Sequence, residues 1–339
     1  MAVGDLTFLD DNDQGGLANG SSFHPTSGFI LLANGTGGIR SYSIDSSGIL
    51  APEGHDDQGA TGLAVAYEPV TDFVLLANDT GGLLSYSIDG AGVLTFVDAP
   101  TTPVGSTNGV AFHATTGYIL TTNYPAGVQS YSIDGAGTLT LVDSDPQAGI
   151  QRGVAVHPTT DFILVASGSG GLRSYSIDGA GTLTLVDTNA DAAINSCGSV
   201  AIDPFTGFIL VGNYHGGLSS YSIDGSGNLT LLDETDEGGF GMGVAVDPTT
   251  GLVLLSNLFL GLISYSMDEL GILTDLDQTF HSGAGVAVSV HPVTGDVLLA
   301  SSDAGLLSYS VERPPSVDLA LGGPGLSGLA NALDFNPLW

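Results

Sequence analysis

The chain has 339 residues and not one of them is lysine. Its permanent cations are Arg40, Arg152, Arg173 and Arg313, set against 36 Asp and Glu, so the formal net charge is −32. Such a surface repels phosphate backbones and anionic headgroups, which excludes nucleic acid and acidic membranes as partners. Charged residues are also scarce, 12% of the chain against roughly 25% in an average soluble protein. The acidity therefore comes from missing cations and not from added acids, unlike the carboxylate coat of a halophile's protein. A single cysteine, Cys197, leaves no internal disulfide to form, and it reads as a small buried residue rather than a nucleophile. The longest apolar stretch, residues 251 to 263, is broken by Ser256 and Asn257 and is too short for a helical membrane span. No cleavable secretory signal precedes the first strand, since Gly4-Asp5 follows Met1 within a few residues.

What the chain does have is one phrase, Ser-Tyr-Ser-Ile-Asp or a close variant, seven times over. Its tyrosines are Tyr42, Tyr86, Tyr131, Tyr175, Tyr221, Tyr265 and Tyr309, spaced by 44, 45, 44, 46, 44 and 44 residues. A period near 44 with four short β-type runs in each unit is the pattern of a β-propeller blade. Residues 152 to 187 show one unit cleanly. Gly153–His157, Phe162–Ala166, Leu172–Ile177 and Leu183–Val186 are rich in Val, Ile, Leu, Tyr and Thr, as strands are. Pro158-Thr159-Thr160-Asp161 and Asp178-Gly179-Ala180-Gly181 supply the preset and positive φ of tight turns.

The first strands alternate large and small, as in Val154-Ala155-Val156, and suit a sheet covered on both sides. The chain opens on a fourth strand, Leu6–Asp10, and its last repeat stops after a third, Leu307–Val311. The first strand thus completes the seventh blade, which closes the ring and removes its open edges. The expected fold is all-β: a closed seven-bladed propeller over residues 1–313, followed by an apolar Pro-, Gly- and Leu-rich tail over 314–339.

The repeat text, with Gly153-Val154-Ala155-Val156-His157-Pro158, Phe162–Ala166 and Ser174-Tyr175-Ser176-Ile177-Asp178, resembles the seven-bladed propellers of the lactonase and YVTN-repeat type. The resemblance covers about residues 5 to 311. It implies the fold and, for lactonase-like members, hydrolysis of a sugar-acid lactone at the top of the central channel. That chemistry asks for a base to activate water and a donor or cation for the developing oxyanion. On the face where fourth strands lead into the next blade, the candidates are Arg152, with His55 and His281 in equivalent loops and Asp56, Asp57, Glu234 and Glu237 as carboxylates. They belong to different blades and share no motif.

A circle of His24, Glu68, His113, His157, Asp203, Asp247 and His291 ends the successive first strands. Most precede proline, where a short polar side chain satisfies turn amides, so the circle reads as structural and not as a metal ring. Calcium is the cation an acidic loop would take, and Asp11-Asn12-Asp13-Gln14-Gly15 is the nearest approach, with Asp11 and Asp13 as ligands. It lacks the full Asp spacing and a downstream bidentate Glu. Asn-x-Ser/Thr sequons stand at Asn19, Asn34, Asn78 and Asn228 and permit glycosylation.

Comparison among repeats locates variation. Residues 134–143 and 178–187 are identical, whereas loops on the opposite face differ in every blade. Over blades 5 to 7 those loops carry Tyr214, Phe240, Leu258, Phe259, Leu260 and Phe280, an apolar set that a turn does not need and that marks an interaction site. The tail offers a complement in Phe335, Leu338 and Trp339, the chain's one tryptophan. An arm that reaches the next copy instead of its own closes a ring or grows a filament. The expectation is a non-enzymatic propeller that associates with itself through this tail, extracellular or at the cell surface, the tail serving as assembly arm or sorting signal. The alternatives are the lactonase, a calcium-dependent adhesin for a glycan or surface protein, and a cytoplasmic location.

Overall fold

A computed structural model describes residues 3–13, 15, 17–100, 105–147, 149–189, 197–214, 217–236, 238–279 and 284–312. These form seven four-stranded antiparallel sheets and no helix. Each sheet takes its strands in chain order except the last, where Leu6–Asn12 pairs with Gly305–Val311 as the outer strand of blade 7. The ring is closed by the N-terminal strand, as the strand count predicts. Residue 313 and the segment 314–339, including Phe335, Leu338 and Trp339, lie outside the described residues.

The core sits between blades. Second strands such as Ile163–Ala166 are buried throughout, and the seven repeat tyrosines are at most 4% exposed. First strands are only half-buried because one side borders the central channel and not another sheet.

A bulge explains how the repeat phrase joins one blade to the next. In blade 4, Ser174 lies opposite Asp187 while Tyr175 lies opposite Leu185, so Val186 is an extra residue in the fourth strand. The same shift occurs beside every repeat tyrosine, at Ser85/Tyr86, Ser130/Tyr131, Ser220/Tyr221 and Ser264/Tyr265 among others. A bulge rotates the strand and re-aims the side chain that follows. Here it turns the aspartate beside the serine, and both reach the following blade.

The serine hydroxyl donates to a glycine carbonyl in the next blade's turn at all seven seams, for example Ser130 to Gly181 and Ser174 to Gly227, both 2.6 Å. The aspartate accepts the backbone N–H that opens the next fourth strand at six of them, for example Leu183 N to Asp143 Oδ2 at 2.8 Å. At the seam between blades 1 and 2 the aspartate's place is taken by Gly54, opposite Ser41. The second aspartate of the repeat closes its own turn: Asp178 Oδ1 accepts from Ala180 N and Thr182 N, both at 2.9 Å, while Gly181 takes φ +84°. Glycine is required there because positive φ strains any residue with a Cβ.

The His/Asp/Glu circle has the structural role expected of it. His157 Nδ1 accepts from Thr160 N at 3.2 Å, which leaves Nε2 to donate to Gly207 O of blade 5 at 2.9 Å. His113 and His291 repeat the arrangement. Asp203 and Asp247 accept from their own turns instead, since a carboxylate has no proton to send onward.

Candidate functional site: the channel mouth and its aromatic shelf

Each first strand enters the sheet through one residue turned into the channel. In blades 3, 5, 6 and 7 a register shift at that residue does the turning, at Asn108, Gly198, Met242 and Val286. With Asn19, Leu63 and Arg152 they line a central cavity of about 400 Å³, followed by a ring of small residues such as Gly20, Gly109 and Gly153 and then a ring of valines.

Three side chains of this lining bond to the next blade. Asn19 Nδ2 donates to Gly62 O and Asn108 Nδ2 to Gln151 O, each at 2.8 Å. Arg152 Nη1 donates to the Tyr214 hydroxyl at 2.8 Å, and its guanidinium carbon stands 4.6 Å from the Tyr214 ring centre. Burial raises the Tyr214 phenol above its ordinary value, with the Arg152 charge pulling the other way. Gly198 makes room for that ring, because a Cβ there would lie 3.0 Å from Tyr214 Cε2. Among the described residues the cavity lining holds no carboxylate, histidine or thiol.

From Tyr214 an aromatic series runs outward over the variable face. Tyr214 and Phe240 are 6.0 Å apart edge to face, and Phe240 and Phe259 5.2 Å apart. Phe259 is 58% exposed, while Leu258 and Phe240 are half-buried. The loop that carries Phe259 is pinned by the fully buried Asn257, whose Oδ1 accepts from Phe259 N and Leu260 N, and by Leu258 N donating to Phe240 O at 2.9 Å. The shelf is thus preorganised, with one phenyl ring presented to solvent. Leu260 faces the other way and packs against the core between blades 5 and 6. Phe280 lies outside the described residues.

The remaining candidates are dispersed. His55 and Asp56 belong to the fourth strand of blade 1, Leu50–Asp56, and not to a loop, because that strand continues past its bulge. His55 Nε2 sits 2.8 Å from Gly37 O, on the outermost strand of its blade, and is absent from the channel lining that holds Arg152. His281 and Glu237 lie outside the described residues. Asp11 is an exposed residue of the closing strand, and Asp13 Oδ1 accepts from Gly15 N at 2.9 Å in an ordinary Asx turn. No group of three metal-capable side chains occurs among the described residues. Cys197 is fully buried and its thiol is pushed up to about 12 by that burial. Of the sequons, Asn34 and Asn78 are buried at the ends of second strands, and Asn228 stands exposed in a turn.

No family model matches the chain. No curated protein matches it either. Solved structures do. A protein from Lactobacillus plantarum is 18% identical over 80% of this chain and 86% of its own, with a TM-score of 0.67. A putative 6-phosphogluconolactonase from Bacteroides fragilis is 14% identical over 83% and 96%, TM-score 0.70. The WD40 β-propeller domain of Doa1 is 12% identical over 91% and 97%, TM-score 0.71. The likeness to lactonase-type propellers holds at the level of fold, and it extends as well to WD40 propellers. Identities this low carry no activity across.

Proposed function

We propose that this chain is a non-enzymatic structural and binding propeller, displayed outside the cell, which associates with copies of itself through residues 314–339. One observation carries the non-enzymatic part. Among the described residues the channel lining holds no carboxylate, histidine or thiol to serve as a base, and Arg152 is engaged with Tyr214 of the next blade. A hydrolase needs a base within hydrogen-bond reach of its water. Self-association is supported by the pinned, outward Phe259 on the variable face and by the apolar sequence of the tail. The test is electron microscopy of the full chain beside a chain ending at Arg313. Ordered assemblies in the full chain alone are expected; single propellers in both would overturn the reading.

A lactonase is the second reading, favoured by the presence of Arg152 in the lining and by the fold shared with a structure described as a putative 6-phosphogluconolactonase. It predicts turnover of sugar-acid lactones, phosphorylated ones included, that disappears in Arg152→Ala. The non-enzymatic reading expects background hydrolysis from both proteins. An adhesin for a glycan or surface protein would instead lose its ligand when calcium is chelated.

A further inference from the structure

The direction of the strands fixes where the tail begins. Each third strand runs from the variable-loop face to the face of the tight turns, and blade 7 ends its third strand at Val311. Glu312 is held on the turn face by two backbone hydrogen bonds, Gly4 N to Glu312 O and Glu312 N to Asp5 O, each 2.8 Å. The tail therefore departs from the face opposite to the shelf of Tyr214, Phe240 and Phe259, separated from it by the seven-residue height of a strand, about 23 Å.

That placement selects an occupant for the shelf. To reach its own Phe259 the tail would have to turn back and run the full height of its own blade. If a second copy lies against the turn face with its variable face inward, the shelf of that copy lies directly across the contact. Residues 314–339 number 26, at most about 90 Å when extended, ample for crossing from one disc to the next. Their chemistry fits an aromatic shelf: the segment has nine large apolar side chains, among them Phe335, Leu338 and Trp339, and only two acids, Asp318 and Asp334. Both faces also present apolar side chains near the contact, Leu17, Tyr124 and Ile150 on the variable side and Phe205 and Val293 on the turn side.

We propose that the 314–339 segment of one copy docks on the Tyr214–Phe240–Phe259 shelf of a second, stacking propellers turn face to variable face. The contact is head-to-tail: each copy uses its tail on one neighbour and its shelf on the other. Stacking with both surfaces reused in every copy does not close by twofold symmetry and grows along the axis. This rests on the self-association proposed above and adds its geometry and its docking residues.

The test uses the full chain and three variants: Phe259→Asp, Phe259→Leu, and a chain ending at Arg313, which retains all seven complete blades. Phe259 is exposed, so these substitutions leave the core intact, to be checked by the thermal midpoint. Assembly is read by sedimentation velocity and by the axial repeat in negative-stain images. Phe259→Asp is expected to raise the concentration for half-assembly about tenfold or more, and Phe259→Leu to restore most of it, given the size of a buried phenyl ring. A synthetic peptide of residues 314–339 should bind the truncated propeller and not its Phe259→Asp form. If truncation abolishes assembly and Phe259→Asp does not, the shelf is the wrong dock and this inference fails while self-association stands. Assembly surviving truncation overturns it too. A full chain that is monomeric at every concentration removes both this inference and the reading beneath it.

Discussion

The Asp143 carboxylate offers the sharpest test of how the ring is held together. It reaches from blade 3 to the backbone N–H of Leu183 in blade 4 at 2.8 Å, aimed there by the bulge beside Tyr131. Replacing it with alanine removes a charged acceptor and strands a seam amide, an effect of about 1.5–3 kcal/mol. For a domain at or above the upper end of the 150–250-residue range, each kcal/mol moves the midpoint by about 2 °C, so the expected shift is about 3–6 °C. Asp143→Asn keeps an acceptor oxygen and should lose about half as much. The chain contains its own control, since the seam between blades 1 and 2 has Gly54 in place of the aspartate and keeps the Ser41 bond without the carboxylate one. Hence Asp98→Ala, Asp187→Ala and Asp233→Ala should each reproduce the Asp143→Ala cost, whereas Gly54→Ala should act through crowding, with the blade 2 backbone already against it. Urea titrations at constant m-value measure these differences. A cost below about 0.5 kcal/mol for Asp143→Ala would mean that the seams are held by packing alone and would refute the staple.

Three further outcomes follow from the same structure. Tyr175→Ala, at a fully buried repeat position, should destabilise by about 3–5 kcal/mol through the cavity it leaves, read in the same titrations. Burial pushes the phenols of Tyr42, Tyr131 and Tyr309 up to about 12, from an ordinary value of 10.0; their neutral forms favour the fold fully below pH 10, and that contribution drains as pH climbs towards 12. Absorbance at alkaline pH should show these phenols ionising together with unfolding, not before it. At the acid end, backbone amides hold the Asp134 and Asp178 carboxyls below their ordinary value of 3.8, and Asn228 with backbone amides does so for Asp224. Their stabilisation is complete above the ordinary value and is lost as pH falls through the depressed one, so acid melts of Asp178→Asn should show a smaller pH dependence than the parent, by the share of that one carboxyl.

The fold was legible because its information is repeated. Seven tyrosines at one spacing, four runs per unit and a lone fourth strand at the start of the chain determine blade number and closure, and local residue choice agrees with them everywhere. The bulge was not legible, and it is what makes the fourth strands longer than their apolar run: His55 and Asp56 were expected in a loop and stand in a strand. The role of the aspartate after each Leu-Thr-Leu run was not legible, although its recurrence beside a serine one strand away, and its loss at Gly54, are the trace of an inter-blade bond. The shelf was half legible. Composition singled out Tyr214, Phe240 and Phe259, which do adjoin, but it could not tell that Leu260 in the same loop points into the core. Channel residues were harder still, since a register shift and not a hydrophobic period chooses which side chain faces inward.

The charge balance decides how stacked copies would respond to salt. Among the described residues the three arginines are all at least partly buried: Arg173 lies inside blade 4, Arg152 under the Tyr214 ring, and Arg40 beside Tyr42. Among the described residues the surface therefore presents carboxylates with no fully exposed arginine to answer them, on the turns of one face and in the loops of the other. Two such faces offer little for ion pairing, and bringing them together is opposed by like charge over a range set by screening, about 30 Å at 0.01 M salt and 3 Å at 1 M. Apolar docking loses nothing to salt, while the repulsion against it shrinks. Assembly of the full chain should accordingly strengthen from low to high ionic strength, the reverse of an association built on salt bridges, and sodium should serve as well as calcium at matched ionic strength. Sedimentation across a salt series measures this. Assemblies that fall apart at 0.5 M sodium chloride would show that charge pairing, and not the apolar segment on an aromatic shelf, holds the copies together.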